Sequence, residues 1–429
     1  MSTPRVAIVG ASPELSGDLA EMLADRGIEG DRLRLLGGEE TAGGTVDVHG
    51  RRLRIGAATR ESLADVDVAL FCGDPRLAAR LIPQARDGGA LSIDATGCTR
   101  GLAAVPAIVP EVNGEEVGEL APGAVVASPD PLAVALALVL VPLHRLGSVR
   151  RVVVTVLAPA SRLGAVGVEA LSCQSVALMQ GRSIDRAGFP EQLAFNLRVQ
   201  PGQDATGWSD AEEGLASVVP ALLAAPEVVV AATLVRTPVF FGTAMAIDVE
   251  LEAEVGVEQV VAALRAGQGL LVSGTPEDVL ARSIGRDADA PPGDARRGDP
   301  SEVDFGASID DEDDDFLRED DDEDPDEDAD VDLDEEDDED DEDDDGFEAA
   351  DGLGTEDGEE SGAEALDPSL DPAPGPVEVA GSDFVHVSRV RVDPRRPTAV
   401  AMWITFDEVR RGVARNLVAI LETLADPEA

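Results

Sequence analysis

Side chains able to do chemistry are sparse in this chain. Three cysteines (Cys72, Cys98 and Cys173) and three histidines (His49, His144 and His386) are scattered along 429 residues, with no spacing that suits a zinc site or a disulfide framework. Every basic residue is an arginine and there is no tyrosine, so a Schiff-base or phosphate-loop lysine mechanism is excluded. The stretch "VVASPDPLAVALALVLVPLHRL", Val125 to Leu146, reads as a buried strand, a tight turn and a long apolar helix opening at Pro131. Such turns concentrate chemistry in α/β proteins, because helix N-terminal amides point outward there. This one holds Ser128, Pro129, Asp130 and Pro131, which fix the backbone but offer no strong nucleophile. Cys98, in "TGCTR", has no identifiable base beside it and reads as a small core residue. His144 reads as a cap of the helix end, favoured there by the helix dipole, and His49 and His386 read as structural.

Apolar bursts alternate with amphipathic segments in the first third of the chain. "RVAIVG", "VALFCG", "ALSIDATG" and "GAVVASP" read as strands, with helices over Leu15 to Arg26 and Pro75 to Arg86, a βαβ series that predicts a parallel, Rossmann-like sheet. After Arg150 the strands lengthen. "RRVVVTVLAPAS", the pair within "EVVVAATLVRTPVFFGTAMAIDVELEAE", "GLLVSG", "FVHVSRVRVDP" and "AVAMWITFD" predict a mixed sheet. Helices are expected over Gly164 to Met179, Asp210 to Leu223, Val257 to Ala266 and Asp407 to Leu424.

The formal charge of -54 comes disproportionately from a run between about Ser301 and Glu360, in which "DDEDDDFLREDDDEDPDEDADVDLDEEDDEDDEDDDG" has Arg318 as its only cation. A block of this kind repels itself and lacks apolar surface to bury, so it is expected to be a disordered insertion with Pro/Gly/Ala-rich flanks, order resuming near Phe384. It is a solvated spacer or a site for a basic protein partner. The N-terminus enters a strand at once and no apolar run approaches membrane-spanning length, so the expectation is a cytoplasmic protein with no membrane or nucleic-acid partner. No metal site is expected.

The ordered set "VAIVGAS", "LRLLGGEETAGG", "SIDATGCTRG", "AIVPEVN", "VASPDP", "PLHRLG", "RVVVTVLAPASRLG", "AFNL", "VRTPVFFGTAM" and "VARNLVAI" resembles the aspartate-semialdehyde dehydrogenase family over nearly all of the chain outside the acidic block. The resemblance implies an α/β protein in two parts. A Rossmann-like NAD(P)-binding domain would span 1–130 with 406–429. An α+β dimerisation and catalytic domain would span 131–284 and 383–405, interrupted by the acidic insertion at 285–382.

The family's chemistry uses a cysteine in an Asn-Cys-Thr turn and a histidine acting as acid and base. The resemblance places Pro131 at the cysteine, Thr243 at the histidine, and Ala158 at or near an active-site glutamine, so no catalytic residue is intact. Arg100 and Arg236 fall at positions that grip phosphate and the substrate carboxylate, and Glu213, with Glu212 as a rival, at one facing the substrate amine. In the cofactor loop "GASPELSG" Gly10 remains, whereas Pro13 lacks an N–H, Glu14 adds a negative charge and Ser16 replaces a glycine. Glu40 stands where the family carries the arginine for the 2′-phosphate of NADP, and Asp74 adds a further charge. Two like charges at ~4 Å cost about 1–4 kcal/mol. No cofactor is therefore expected, and NADP or NAD only if activity persists. Two readings follow: a non-catalytic homodimer or heteromer partner of an active paralogue, or an active NAD(P)-dependent semialdehyde oxidoreductase of amino-acid biosynthesis with rearranged residues.

Overall fold

The computed structural model describes residues 4–121, 123–186, 188–200, 207–273 and 373–425, all within one compact unit. The acidic run lies outside the described residues. In chain order, the first sheet and its covering elements are β1 (Val6–Val9), α1 (Pro13–Ala24), β2 (Leu33–Gly37), the hairpin β3 (Thr45–Val48) and β4 (Arg51–Arg54), β5 (Gly56–Ala57), β6 (Val68–Phe71), α2 (Pro75–Asp87), β7 (Leu91–Asp94), the single turn α3 (Pro110–Asn113) and β8 (Val125–Ala127). Six strands pair in the order β5-β2-β1-β6-β7-β8, all parallel. Every residue of β1 and of β6 is buried, as strands covered on both faces require. This is the Rossmann-like sheet.

The second set is α4 (Pro131–Gly147), β9 (Val149–Ala158), α5 (Ala165–Met179), β10 (Arg198–Val199), α6 (Asp210–Leu222), β11 (Val229–Arg236), β12 (Thr243–Leu251), α7 (Val257–Arg265), β13 (Leu270–Val272), β14 (Val385–Asp393) and β15 (Arg396–Phe406). Seven strands form one sheet in the order β10-β11-β9-β12-β15-β14-β13. It is mixed: β9 runs parallel to β11 and antiparallel to β12, and β13 runs parallel to β14. Helix α4 starts where Asp130 accepts a hydrogen bond from Leu132 N and Pro131 takes the first helical position, whose N–H needs no partner. Its apolar run packs into one core with β9, β12 and β15. At its far end His144 Nδ1 accepts from Val149 N at 3.0 Å, so this side chain ties the helix to the next strand.

The chain end departs from a plain helix. Asp407 caps it by accepting from Val409 N and Arg410 N, but Glu408–Ala414 is π-helical before α8 (Arg415–Ala425) continues. Leu417, Val418, Ile420 and Leu421 of α8 return to the core of the first sheet. A second departure concerns the segment just before Phe384. Expected as a flank of the insertion, 373–382 instead packs: Val379 is fully buried, Thr405 Oγ1 donates to Pro374 O at 3.0 Å, and Gly381 N donates to Asp407 Oδ2 at 2.9 Å. Its Pro/Gly content suits a strap that needs few N–H partners as well as it suits a linker. Among the described residues no helix is long and apolar enough to cross a membrane.

Candidate functional site

The end of β8, the start of α4 and the turn after β7 enclose a cavity of about 140 Å³ whose wall includes Thr96, Arg100, Ser128, Asp130, Pro131 and Leu215. Asp94, buried at the end of β7, organises the turn by accepting from the backbone and hydroxyls of Thr96 and Thr99 at 2.6–2.9 Å. Burial pushes this carboxyl up, but those hydrogen bonds outweigh it and hold it below the usual aspartate range. The turn delivers Arg100, whose guanidinium lies against Gly97 and Gly214. Asp130 caps α4 with one oxygen and takes Arg162 Nη2 at 2.9 Å with the other. Against the opposing effect of burial, the Arg162 charge keeps Asp130 below its ordinary pKa. Cys98 offers no nucleophile here. Its Sγ donates to Asp94 Oδ2 at 3.4 Å, and burial, with the Asp94 charge, pushes the thiol pKa up.

Pro131 is covered from outside by the π-helical segment: a Cβ added at Gly412 would lie 2.4 Å from Pro131 Cβ. Asn416 Nδ2 locks the same turn by donating to Ser128 Oγ at 2.7 Å and Ile108 O at 3.1 Å. Thr243, fully buried at the start of β12, lies beside Glu408. One Glu408 oxygen accepts from Gly242 N at 3.0 Å and from Thr243 Oγ1 at 3.5 Å, and the other accepts from Ser161 Oγ. Burial holds this carboxyl above the usual glutamate range, with the Ser161 hydroxyl opposing and Asp407 adding to the effect. Glu408 and Ser161 escape a reading of the sequence because they meet across 247 residues.

The remaining expected residues do not converge on that cavity. Arg236 is paired with Glu191 at 2.8 Å, both side chains mostly buried. Glu213 is exposed, beside Trp208, Ala216 and Ser217, outside the cavity wall. Its rival Glu212 is structural: one oxygen accepts from Ser209 N and the other from Leu234 N, and Ser209 caps α6. The Ser-x-x-Glu spacing of a capping box was the available signal. Ala158 closes β9, its carbonyl accepting from Thr237 N and Oγ1. An ion pair that no sequence signal marks joins the fully buried Arg411 Nη2 to the partly buried Glu111 Oε1 at 2.9 Å.

At the carboxyl ends of β1, β2 and β6 an open cleft of about 650 Å³ has Glu39, Glu40, Asp74, Arg76 and Arg80 on its walls. Gly10, at φ +91°, is packed so tightly that an added Cβ would lie 1.8 Å from Cys72 O, and one at Gly73 would lie 2.8 Å from Gly10 O. The glycines are thus required by the contact between the two loops. Asp74 uses its side chain to cap α2 through Arg76 N. The cleft therefore carries three carboxylates and two guanidinium groups, with Glu39 and Glu40 following β2.

Comparison with known proteins agrees with this architecture. Residues 5–120 match the semialdehyde dehydrogenase NAD binding domain, and residues 140–288 match the semialdehyde dehydrogenase dimerisation domain. The chain is 32% identical over 286 residues to a USG-1 protein homolog of Azotobacter vinelandii, covering 66% of this chain and 84% of that one. It is 30% identical over 266 residues to aspartate-semialdehyde dehydrogenase 2 of Vibrio cholerae, covering 62% and 79%. The crystal structure of aspartate semialdehyde dehydrogenase II from Vibrio cholerae shares the fold, with a TM-score of 0.73 at 24% identity over the whole of both chains. A parallel Rossmann-like sheet, a mixed second sheet and both family domains in order lead to one assignment: the chain belongs to the semialdehyde dehydrogenase family.

Proposed function

We propose that this chain is a dimeric family member that has lost thiol-based semialdehyde dehydrogenation. The reading is supported by the residues found at the two positions where the resemblance puts the family's chemistry. Pro131 has no nucleophilic atom and is roofed by Gly412, and Thr243 lies beside a buried carboxylate. A threonine hydroxyl does not shuttle protons near neutrality, so neither acyl transfer to the chain nor its acid-base assistance has a residue to perform it. Arg236, neutralised by Glu191, is not presented to a substrate carboxylate. Arg100 keeps a cationic edge on the small cavity and is the residue that would hold an anion there.

The dimer reading is supported by the matched dimerisation domain and by an apolar surface that a monomer would leave in water. Val166, Val176 and Met179 of α5 are exposed, as are Phe195, Leu197 and Val199 around β10, with Met179 at 76%. A heteromer with an active relative would use the same surface.

The test is turnover with aspartate semialdehyde, phosphate and NAD or NADP, with assembly size measured on the same sample. The unmodified protein should be a dimer with no turnover above background, and Pro131→Cys alone should be equally silent for want of a base. Turnover on the order of 1 s⁻¹ by the unmodified protein would restore the oxidoreductase reading.

A further inference from the structure

The loop after β1 uses its own amides within the fold. In a Rossmann unit the pyrophosphate is held by backbone N–H groups of this turn and of the helix it opens. Here Gly10 N and Ala11 N both donate to Leu36 O, at 2.8 and 3.0 Å. Ser12 N donates to Ser16 Oγ at 3.1 Å, and Pro13 has no N–H. From Gly10 to Pro13 no amide hydrogen is therefore left for a ligand. Ser16 is fully buried and its own N–H donates to Ser12 O, so its hydroxyl is fixed beneath the turn. A glycine there would supply no such acceptor.

We propose that Ser16 is the residue that shuts this loop, acting with Pro13 against the pyrophosphate of both NAD and NADP, while Glu40 acts only against the 2′-phosphate of NADP. Pro13 removes one donor from the sequence, Ser16 commits another, and Glu40 stands where the resemblance places the site for the phosphate that distinguishes NADP from NAD. The order of exclusion follows from charge. NAD meets the loop alone, whereas NADP also brings a phosphate to Glu39 and Glu40 after β2, in a cleft whose wall carries Asp74, Arg76 and Arg80 as well. The proposal deepens the non-catalytic reading but rests on different residues, so binding and turnover can fail separately.

The test is binding, measured by thermal melting and calorimetry on the full chain with NAD and NADP at millimolar concentration. The unmodified protein should show no shift with either. Pro13→Gly with Glu40→Arg should bind NADP weakly, and adding Ser16→Gly should tighten that binding by roughly tenfold, since a hydrogen bond to a charged group is regained. Binding of NAD or NADP by the unmodified protein would overturn the proposal, as would equal affinity of the double and triple variants or no binding by the triple variant. Should the variants not fold, amide exchange in the unmodified protein decides. The Ser12 amide must be protected, and fast exchange there would remove Ser16 from the loop. Dinucleotide binding without turnover would sink this proposal and leave the non-catalytic reading standing.

Discussion

Glu408 is a buried carboxylate shared by three donors. Beside Thr243 it accepts from Gly242 N, Thr243 Oγ1 and Ser161 Oγ. Glu408 is 4% exposed, and burial raises its pKa above that of the unfolded chain. The protonated form is thus the one the fold prefers. Its contribution to stability is complete below the unfolded pKa and is lost as pH rises through the higher folded value. Glu408→Gln keeps an acceptor for Gly242 N and gains a donor for Ser161 Oγ without a buried charge. It should raise the melting temperature at pH 7 by a few degrees, corresponding to about 1 kcal/mol, and the gain should shrink as pH falls toward 4.5. A gain that grew on acidification, or a loss at pH 7, would mean that Glu408 is ionised and favourably held. The sequence gives Pro131 and Thr243 through motif alone. Glu408 is invisible there because its role exists only after β9, β12 and the chain end meet.

At the scale of elements, the same logic separates what was legible from what was not. Strands β1, β6, β9 and β12 are uninterrupted apolar or alternating runs, and α4 declares its start through Asp130 and Pro131. β2, "LRLLG", carries a weak strand signal because Arg34 interrupts a run of only five residues, yet it is a partner of β1. The π-helical turn Glu408–Ala414 is likewise unmarked by any periodicity in the sequence. A wide turn at a functional end of a helix is a recurrent device, and here it brings the bare backbone of Gly412 against the Pro131 ring. Gly412→Ala would place a methyl 2.4 Å from Pro131 Cβ and 3.1 Å from its Cα, atoms of a rigid ring at a helix start. The expected cost is ~1–3 kcal/mol, read as a lower denaturant midpoint. Pairing it with Pro131→Gly should recover part of that loss, because neighbours in contact do not add. Strict additivity of the two would show that the chain end does not rest on Pro131.

Across the whole molecule, the chain leaves the second sheet after β13 and returns through the strap 373–382 to β14, with the acidic run between. The two pieces differ in what they touch. Residues 290–367 are dominated by aspartate and glutamate and hold few apolar side chains to bury. The strap buries Val379, gives Pro374 O to Thr405, gives Gly381 N to Asp407 and seats Pro376 against Gly242, where an added Cβ would lie 2.8 Å away. Two deletions therefore have opposite outcomes. Replacing 290–367 by a short flexible linker should leave far-ultraviolet circular dichroism and the melting midpoint unchanged, since loop-closure entropy varies only slowly with length. Extending the deletion through 382 should lower the midpoint by several degrees. It removes a buried valine, worth about 1.5–3 kcal/mol on transfer, together with two hydrogen bonds that fix the ends of β15 and the π-helical turn. It should also uncover Gly242 beside Thr243. Equal melting of the two deletion variants would show that the strap contributes nothing to the fold, and a loss of cooperativity on removing 290–367 alone would show that the acidic run is part of it.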